Sequence, residues 1–278
     1  MSLSFSSVVL PVWHEAAHFL FIKDSLEADA SFLFPLLMQL LFKPANPTAP
    51  LGPSSAESTL LPKNGSVVFV GLSQIFNHYL LIGRKLGINL AALKESSRLR
   101  YIDALSQLHS RESPDLNADI PLDKICEALY RIIESSITTI ESNPATRSTT
   151  PCIFVDDLSV LQFLGVPERT LVGFVQACKR LMQEKRGLLA ILCHGDPSLG
   201  SPLSSQIQHL ADATLEVRGL ESGHSQGVHG QISPIRSPFW ITSALDSGRP
   251  FPQPHAVHYK LMDSGVQFFA KGLSQGVI

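Results

Sequence analysis

Short apolar runs recur along this chain with helix-like segments between them, and that alternation constrains the fold more than any other feature. Five runs read as strands: 18–22 (HFLFI), 66–71 (SVVFVG), 151–156 (PCIFVD), 187–193 (GLLAILC) and 214–218 (TLEVR). The most apolar of them do not alternate with polar residues, so they are expected to be covered on both faces. Segments 31–42, 74–86, 122–140 and 168–183 carry apolar residues at three- and four-residue spacing, as amphipathic helices do, each expected to follow a strand as in a βα unit. The expectation is an α/β fold with a mostly parallel sheet flanked by helices. Near the end, 257–261 and 266–270 flank an Asp-Ser-Gly segment suited to a hairpin turn, so antiparallel strands should finish the sheet.

A chain of 278 residues, 44% hydrophobic and 17% charged, can bury one substantial core, and no polar break divides it. It reads as a single domain over 1–278, with 43–65, rich in Pro, Ser, Ala and Asn, as a flexible surface loop. Lys and Arg number 22 against 24 Asp and Glu, so the totals demand neither a nucleic-acid nor a membrane partner; any RNA contact must come from a local patch. The most apolar stretch, 32–42, is too short to span a bilayer and contains Pro35. Cys126, Cys152, Cys178 and Cys193 lie in mostly apolar segments without a Cys-x-x-Cys pair, which suits reduced core thiols. A soluble protein of the cytoplasm, with the nucleus as a further location, is expected.

Two pentapeptides imitate enzymes. His14-Glu15-Ala16-Ala17-His18 matches H-E-x-x-H, in which a helix presents two zinc ligands and a general base, but here a β-like run begins inside the motif. Gly223-His224-Ser225-Gln226-Gly227 matches G-x-S-x-G, and Asp246 and His258 follow in the order of an α/β-hydrolase triad. That elbow needs a strand before the serine and a helix after it, whereas the following VHGQISPIR is β-like. A glycine-rich loop between two strands is the simpler reading. A serine hydrolase using Ser225 is the alternative function, testable by fluorophosphonate labelling.

A third comparison carries further. CIFVDDL, at 152–158, is an apolar strand ending in Asp156 and Asp157, the form of a Walker B strand whose acid holds Mg²⁺ in a working ATPase. An Asp-Asp pair at a strand end also serves simply to cap the next helix. If it is Walker B, the phosphate loop belongs between the first strand and first helix, where glycine amides and a lysine neutralise phosphate. The stretch there, 24–31, has no glycine and no lysine. Asp24, Glu27 and Asp29 bring three negative charges to it, followed by Ala30 and Ser31, so it is expected to be a degenerate nucleotide site that repels phosphate. No catalytic residue, cofactor or metal is expected.

VVFVGLSQIFNHYLLIGRKLGINL (67–90), FVDDLSVLQFLGV (154–166), VHGQI (228–232) and YKLMDSGVQFFAKGLSQGVI (259–278) resemble, in order and spacing, the sixth-subunit family of Elongator, a complex that modifies wobble uridines of certain tRNAs. The resemblance implies a RecA-like fold without a functional Walker A motif. It also implies a hetero-hexameric ring with the fourth and fifth subunits, two copies of each, that binds tRNA and docks onto the catalytic Elongator sub-complex. An accessory, non-enzymatic role follows, in support of 5-methoxycarbonylmethyl and 5-carbamoylmethyl uridine formation. The sequence departs from the family in 43–65, which is longer, and in HEAAHFLFI.

Phe76, Tyr79, Phe268 and Phe269 could anchor an interface, although large apolar side chains belong more often to a core. Candidate phosphate contacts are Arg84, Lys85, Arg98, Arg100, Lys179, Arg180, Lys185 and Arg186; such runs are mostly solvated helix faces. His194, after GLLAILC, stands in a sensor-like position, and a hydrogen-bonded structural role suits it better. Nucleotide bound through neighbouring subunits, with Asp156 and Asp157 holding a metal, stays open at this point.

Overall fold

The computed structural model describes residues 3–9, 17–42, 64–111, 115–195, 202–220, 223, 225, 227–237 and 255–271. Among them, one sheet is built from β1 (Phe19–Asp24), β2 (Gly65–Gly71), β3 (Leu99–Asp103), β4 (Thr150–Asp156), β5 (Leu188–His194), β6 (Ala213–Arg218), β7 (Gly230–Arg236), β8 (Val257–Met262) and β9 (Gly265–Ala270). Their order is β3-β2-β4-β5-β1-β6-β7-β8-β9. The first six in that order run parallel, and β7, β8 and β9 each pair antiparallel with the strand before.

The strands can be apolar throughout because helices cover both faces. On one side lie α1 (Phe5–Val9), α2 (Leu33–Phe42), α3 (Phe76–Lys85) and α4 (Leu90–Glu95); on the other lie α5 (Ala104–Leu108), α6 (Leu122–Ser142), α7 (Ser159–Phe163), α8 (Glu168–Lys185) and α9 (Leu203–Leu210). Successive side chains of a strand point to opposite faces. In β1, Leu20 and Ile22 accordingly join the core under α2, while Phe19 and Phe21 join the core under α8 and α9. Each such side chain, fully buried, contributes about 1.5–3 kcal/mol relative to exposure.

The five expected strands are present with ends shifted by one or two residues, as are the closing hairpin and the four expected helices. Strand β3 escapes the apolar pattern because it is an edge: Arg100 is exposed and Asp103 half-buried, and charge on an edge discourages pairing with other chains. Pro234 is tolerated inside β7 because β8 pairs only with Gly230, Gln231 and Ile232, leaving the proline where no bond to β8 is required. One expectation fails for two helices: α5 and residues 109–121 separate α6 from β3, and α7 separates α8 from β4. Of the stretch 43–65 expected as a loop, 43–63 lies outside the described residues, and Gly65 is the first residue of β2. Tyr79 and Phe268 are buried core aromatics, while Phe76 and Phe269 are half-buried. Among the described residues no helix is long and apolar enough to cross a membrane.

Candidate functional site

Strands β4, β5 and β1 are neighbours, and their last residues are Asp156, His194 and Asp24. In open α/β sheets ligands bind at such carboxyl ends. The imidazole of His194 lies between two carboxylates: Nδ1 meets Asp24 Oδ1, and Nε2 lies 2.9 Å from Asp157 Oδ2. A neutral imidazole has one N–H, so two acceptors are satisfied only by the doubly protonated ring. The carboxylates of Asp157 and Asp24 push the His194 pKa up to about 10, so the ring is a cation at neutral pH.

This cation organises two loops. Asp24 Oδ2 accepts the Ala30 amide at 2.9 Å and the Asp24 carbonyl accepts the Gly195 amide at 2.8 Å, while a bridge between Ser25 and Ala28 closes the turn. Burial pushes the Asp24 carboxyl above its ordinary value, against the opposing pull of His194 and the Ala30 amide. On the other side Asp157 Oδ1 accepts the Ser159 amide at 2.9 Å, and Ser159 Oγ accepts the His194 amide at 2.7 Å, which ties the start of α7 to β5.

Asp156 faces elsewhere. The peptide joining it to Asp157 is cis. Its Oδ2 accepts the Tyr79 and Ser73 hydroxyls, the latter at 2.9 Å, and its Oδ1 is buried without a hydrogen-bond partner. Burial, opposed by those two hydroxyls, pushes the Asp156 carboxyl up to about 7. Tyr79, wholly buried against Phe69, is pushed well above its usual range by burial and by Asp156. Beside it the Tyr101 hydroxyl donates to the Gln74 carbonyl across Gly71, where an added Cβ would lie 1.8 Å from the Tyr101 oxygen. Only glycine fits there.

The structure therefore brings together Asp24, Asp157 and Ala30 through His194, and sets Asp156 beside them on separate partners. Glu27 and Asp29 are exposed on the turn; Asp29 accepts the Ser31 amide at 2.7 Å and its hydroxyl at 2.9 Å. Sequence reasoning missed Ser73, Tyr79 and Ser159 as members of the polar set. A serine just past an apolar strand is a usable signal for Ser73 and Ser159, whereas Tyr79 is identified only by where α3 packs.

The enzyme-like peptides do not assemble comparable sites among the described residues. His18 Nδ1 lies 2.9 Å from the Gly187 carbonyl, and residues 14–16 of the zinc-like motif fall outside the description. Ser225 Oγ accepts the Gly227 amide at 3.2 Å, and the next regular element is strand β7, not the helix an elbow requires. His258 packs edge-on against Phe269; Asp246 lies outside the described residues. Several basic candidates have partners of their own. Arg98 donates to the Gly65 carbonyl at 3.0 Å, Lys179 to Asp212 at 2.8 Å, Lys185 to Glu141 at 2.7 Å and Arg180 to Glu184 at 3.2 Å. Arg84, Lys85, Arg100 and Arg186 are exposed, Arg186 as the left-handed cap of α8.

Solved structures place this arrangement in a known architecture. An uncharacterised Pyrococcus horikoshii protein solved with an unknown peptide is similar over 92% of this chain and 93% of its own, with a TM-score of 0.58 and 13% identity. A KaiC-like protein from the same archaeon is similar over 95% and 94%, with a TM-score of 0.54 and 9% identity. The fold is RecA-like. By sequence, Elongator complex protein 6 of Rattus norvegicus is 31% identical over 80% of this chain and 85% of its own length, and that of Homo sapiens 30% over the same shares. The Dictyostelium discoideum protein is 22% identical over 90% and 89%. The family model described as Elongation complex protein 6 matches residues 57–263, and the chain belongs to that family of Elongator subunits.

Proposed function

We propose that this chain is a non-catalytic subunit of Elongator that assembles with the fourth and fifth subunits into a hetero-hexameric RecA-like ring. The ring binds tRNA, docks on the catalytic sub-complex and supports formation of 5-methoxycarbonylmethyl and 5-carbamoylmethyl uridine at the wobble position, in the cytoplasm and the nucleus. The observation that carries the non-catalytic reading is His194 held between Asp24 and Asp157 at the ends of β5, β1 and β4. A nucleotide site at those strand ends needs glycine amides and a lysine for phosphate. Here residues 24–31 supply neither, and the Ala30 amide is spent on Asp24. The imidazole of His194 occupies the facing carboxylates of Asp24 and Asp157, so a nucleotide and its Mg²⁺ do not fit the residues present.

For tRNA, the exposed Arg84, Lys85, Arg147 and Arg186 support a contact at the opposite edge of the sheet, where α3 and α8 end. Titration of the purified full chain with labelled ATP and Mg²⁺ is expected to show no saturable binding up to millimolar nucleotide. Saturable binding that is lost with D157N would overturn the reading.

A further inference from the structure

Among the described residues, the helices that cover the sheet stop short of its last three strands on one side. Ile232, Val257, Tyr259 and Phe268 enter the core under α2, whereas no side chain of β7, β8 or β9 enters the core under α8 and α9. Alternation along the strands lays their other side chains out as a grid on that second face. Arg218, Gln231, His258 and Phe269 form one cross-strand row, and Lys260 pairs with Gln267 beside it. Lys271, one residue past β9, acts on His258 from the same face. Beside α9 the face deepens into a cavity of about 220 Å³, whose lining includes Gln208, His209, Thr214, Ile235, Arg236 and Ser237.

One face of an antiparallel sheet is commonly left to water, and polar residues there need no explanation by themselves. This face has more than polarity. Its one carboxylate within the strands, Glu216, is already bonded to Lys23 at 3.2 Å and to Arg218 at 2.8 Å, and Lys260 and Lys271 make no ion pair among the described residues. Phe269, half-buried, sets its ring 6.0 Å from that of His258 amid these cations. Burial and the Lys271 ammonium hold the His258 ring below the ordinary imidazole range, so at neutral pH it offers a hydrogen bond and not a charge. Gln231, Gln267 and, in the cavity, Gln208 and His209 bring both donors and acceptors. From Ile235 in the cavity to Gln231 in the row is four residues of strand, about 13 Å at roughly 3.3 Å each, a span that suits a short run of units better than one small ligand. A protein partner finds little to bury here, since Ile235, Met262 and Phe269 are the large apolar side chains of the grid. Duplex RNA keeps its bases stacked inside and gives Phe269 nothing to stack on. An unpaired stretch offers base faces to rings, base edges to amides and phosphates to lysines.

We infer that this face of β7, β8 and β9, with the cavity beside α9, binds a short unpaired stretch of RNA: one base stacks on Phe269, Lys260 and Lys271 hold its phosphates, and Gln208 and His209 take a neighbouring base. The inference rests on the tRNA reading above and adds to it the kind of RNA element recognised, a loop or an end and not a helix. The surface is separate from the Arg84 and Lys85 contact, because β8 and β9 lie at the other end of the strand order from β2 and the α3 that follows it.

The test titrates the purified full chain with labelled oligouridine and with an RNA duplex of equal length, read by fluorescence anisotropy, and measures tRNA binding by Elongator recovered through the same tagged chain. Expected is saturable binding of oligouridine that weakens about ten-fold in F269L, the worth of one stacked base, and less than two-fold in F269Y, which keeps the ring. K260E/K271E should lose several-fold and flatten the salt dependence, and Q208A/H209A should lose a few-fold. Circular dichroism confirms that each variant is folded. A chain that does not bind oligouridine, or binds it equally well as folded F269L and K260E/K271E, overturns the inference while tRNA binding by the complex leaves the wider reading intact. A wild-type complex that binds no tRNA overturns that reading, and this inference with it. Duplex bound as tightly as oligouridine, with F269L changing neither, shows charge attraction without a site. Folded variants that keep oligouridine but lose another subunit from the recovered complex assign the face to a protein partner. Either result overturns the inference.

Discussion

Asp156 and Asp157 are consecutive in the chain yet end in different regions of the molecule. Asp157 turns toward β5, where it meets the His194 cation, and Asp156 turns under α3, where it meets only the hydroxyls of Tyr79 and Ser73. Both are buried. A buried carboxylate is stabilised either by an opposite charge or by taking up a proton, and these neighbours illustrate the two solutions. On the His194 side each carboxyl group faces the imidazolium, so that removing one member leaves a charge with nothing opposite it. Beneath α3 ionisation is a choice: the Asp156 carboxyl titrates near 7, so its charge varies over the physiological range.

The comparison breaks most readily at His194. H194A leaves Asp24 and Asp157 facing each other without a cation, and the loss is expected to be about 3–5 kcal/mol in urea-melt stability. If the charge pairing is the cause, a triple change to neutral side chains, D24N/D157N/H194Q, recovers most of it. In the wild type the sign follows from the raised pKa. The His194 contribution is complete below the unfolded value of about 6.5 and is lost as pH rises through about 10, so melts between pH 7 and 10.5 should fall in a way absent from the triple variant.

A smaller effect belongs to Asp156. Its folded pKa, raised from 3.8 to about 7, means that folding binds a proton and that stability declines as pH rises through that interval. D156N removes this dependence, and relative to wild type it should gain about 2 kcal/mol between pH 4 and pH 8, within the ~4 kcal/mol that the full shift would convert to. A pH-independent difference would show that Asp156 is not the titrating group. Smallest is Y79F, which deletes one donor to Asp156 while keeping the ring packed on Phe69; about 1 kcal/mol is expected at neutral pH. A loss equal to that of H194A would mean that the two regions act as one network.

Much of the fold is legible in the residues because its causes are local. PCIFVD and GLLAILC are apolar without alternation, and burial on both faces is the arrangement that satisfies them; α2 and α8 on opposite sides meet that demand. The β8–β9 turn follows from Asp-Ser-Gly between two β-like runs. Strand β3 was not legible, since LRYID mixes charge into a short edge and its place depends on pairing with β2. The candidate site was half legible. Two carboxylates after an apolar strand and the glycine-free 24–31 stretch point to the right strand ends. That His194 joins Asp24 to Asp157 is a contact across 170 residues of chain, and no spacing rule carries it.

What the sequence by itself determined is the class of fold and the kind of chain: periodicity marks the strands and helices, and the blocks at 67–90, 154–166 and 259–278 carry the family likeness. What only the tertiary structure decided is how the charges at the strand ends are disposed. Asp24, Glu27 and Asp29 are equal on paper as three negative charges, but folding buries the first against His194 and leaves the other two in water beside Leu26. Local propensity sets which residues form strands; strand order sets which strand ends touch, and electrostatics in a protein interior depends on that contact.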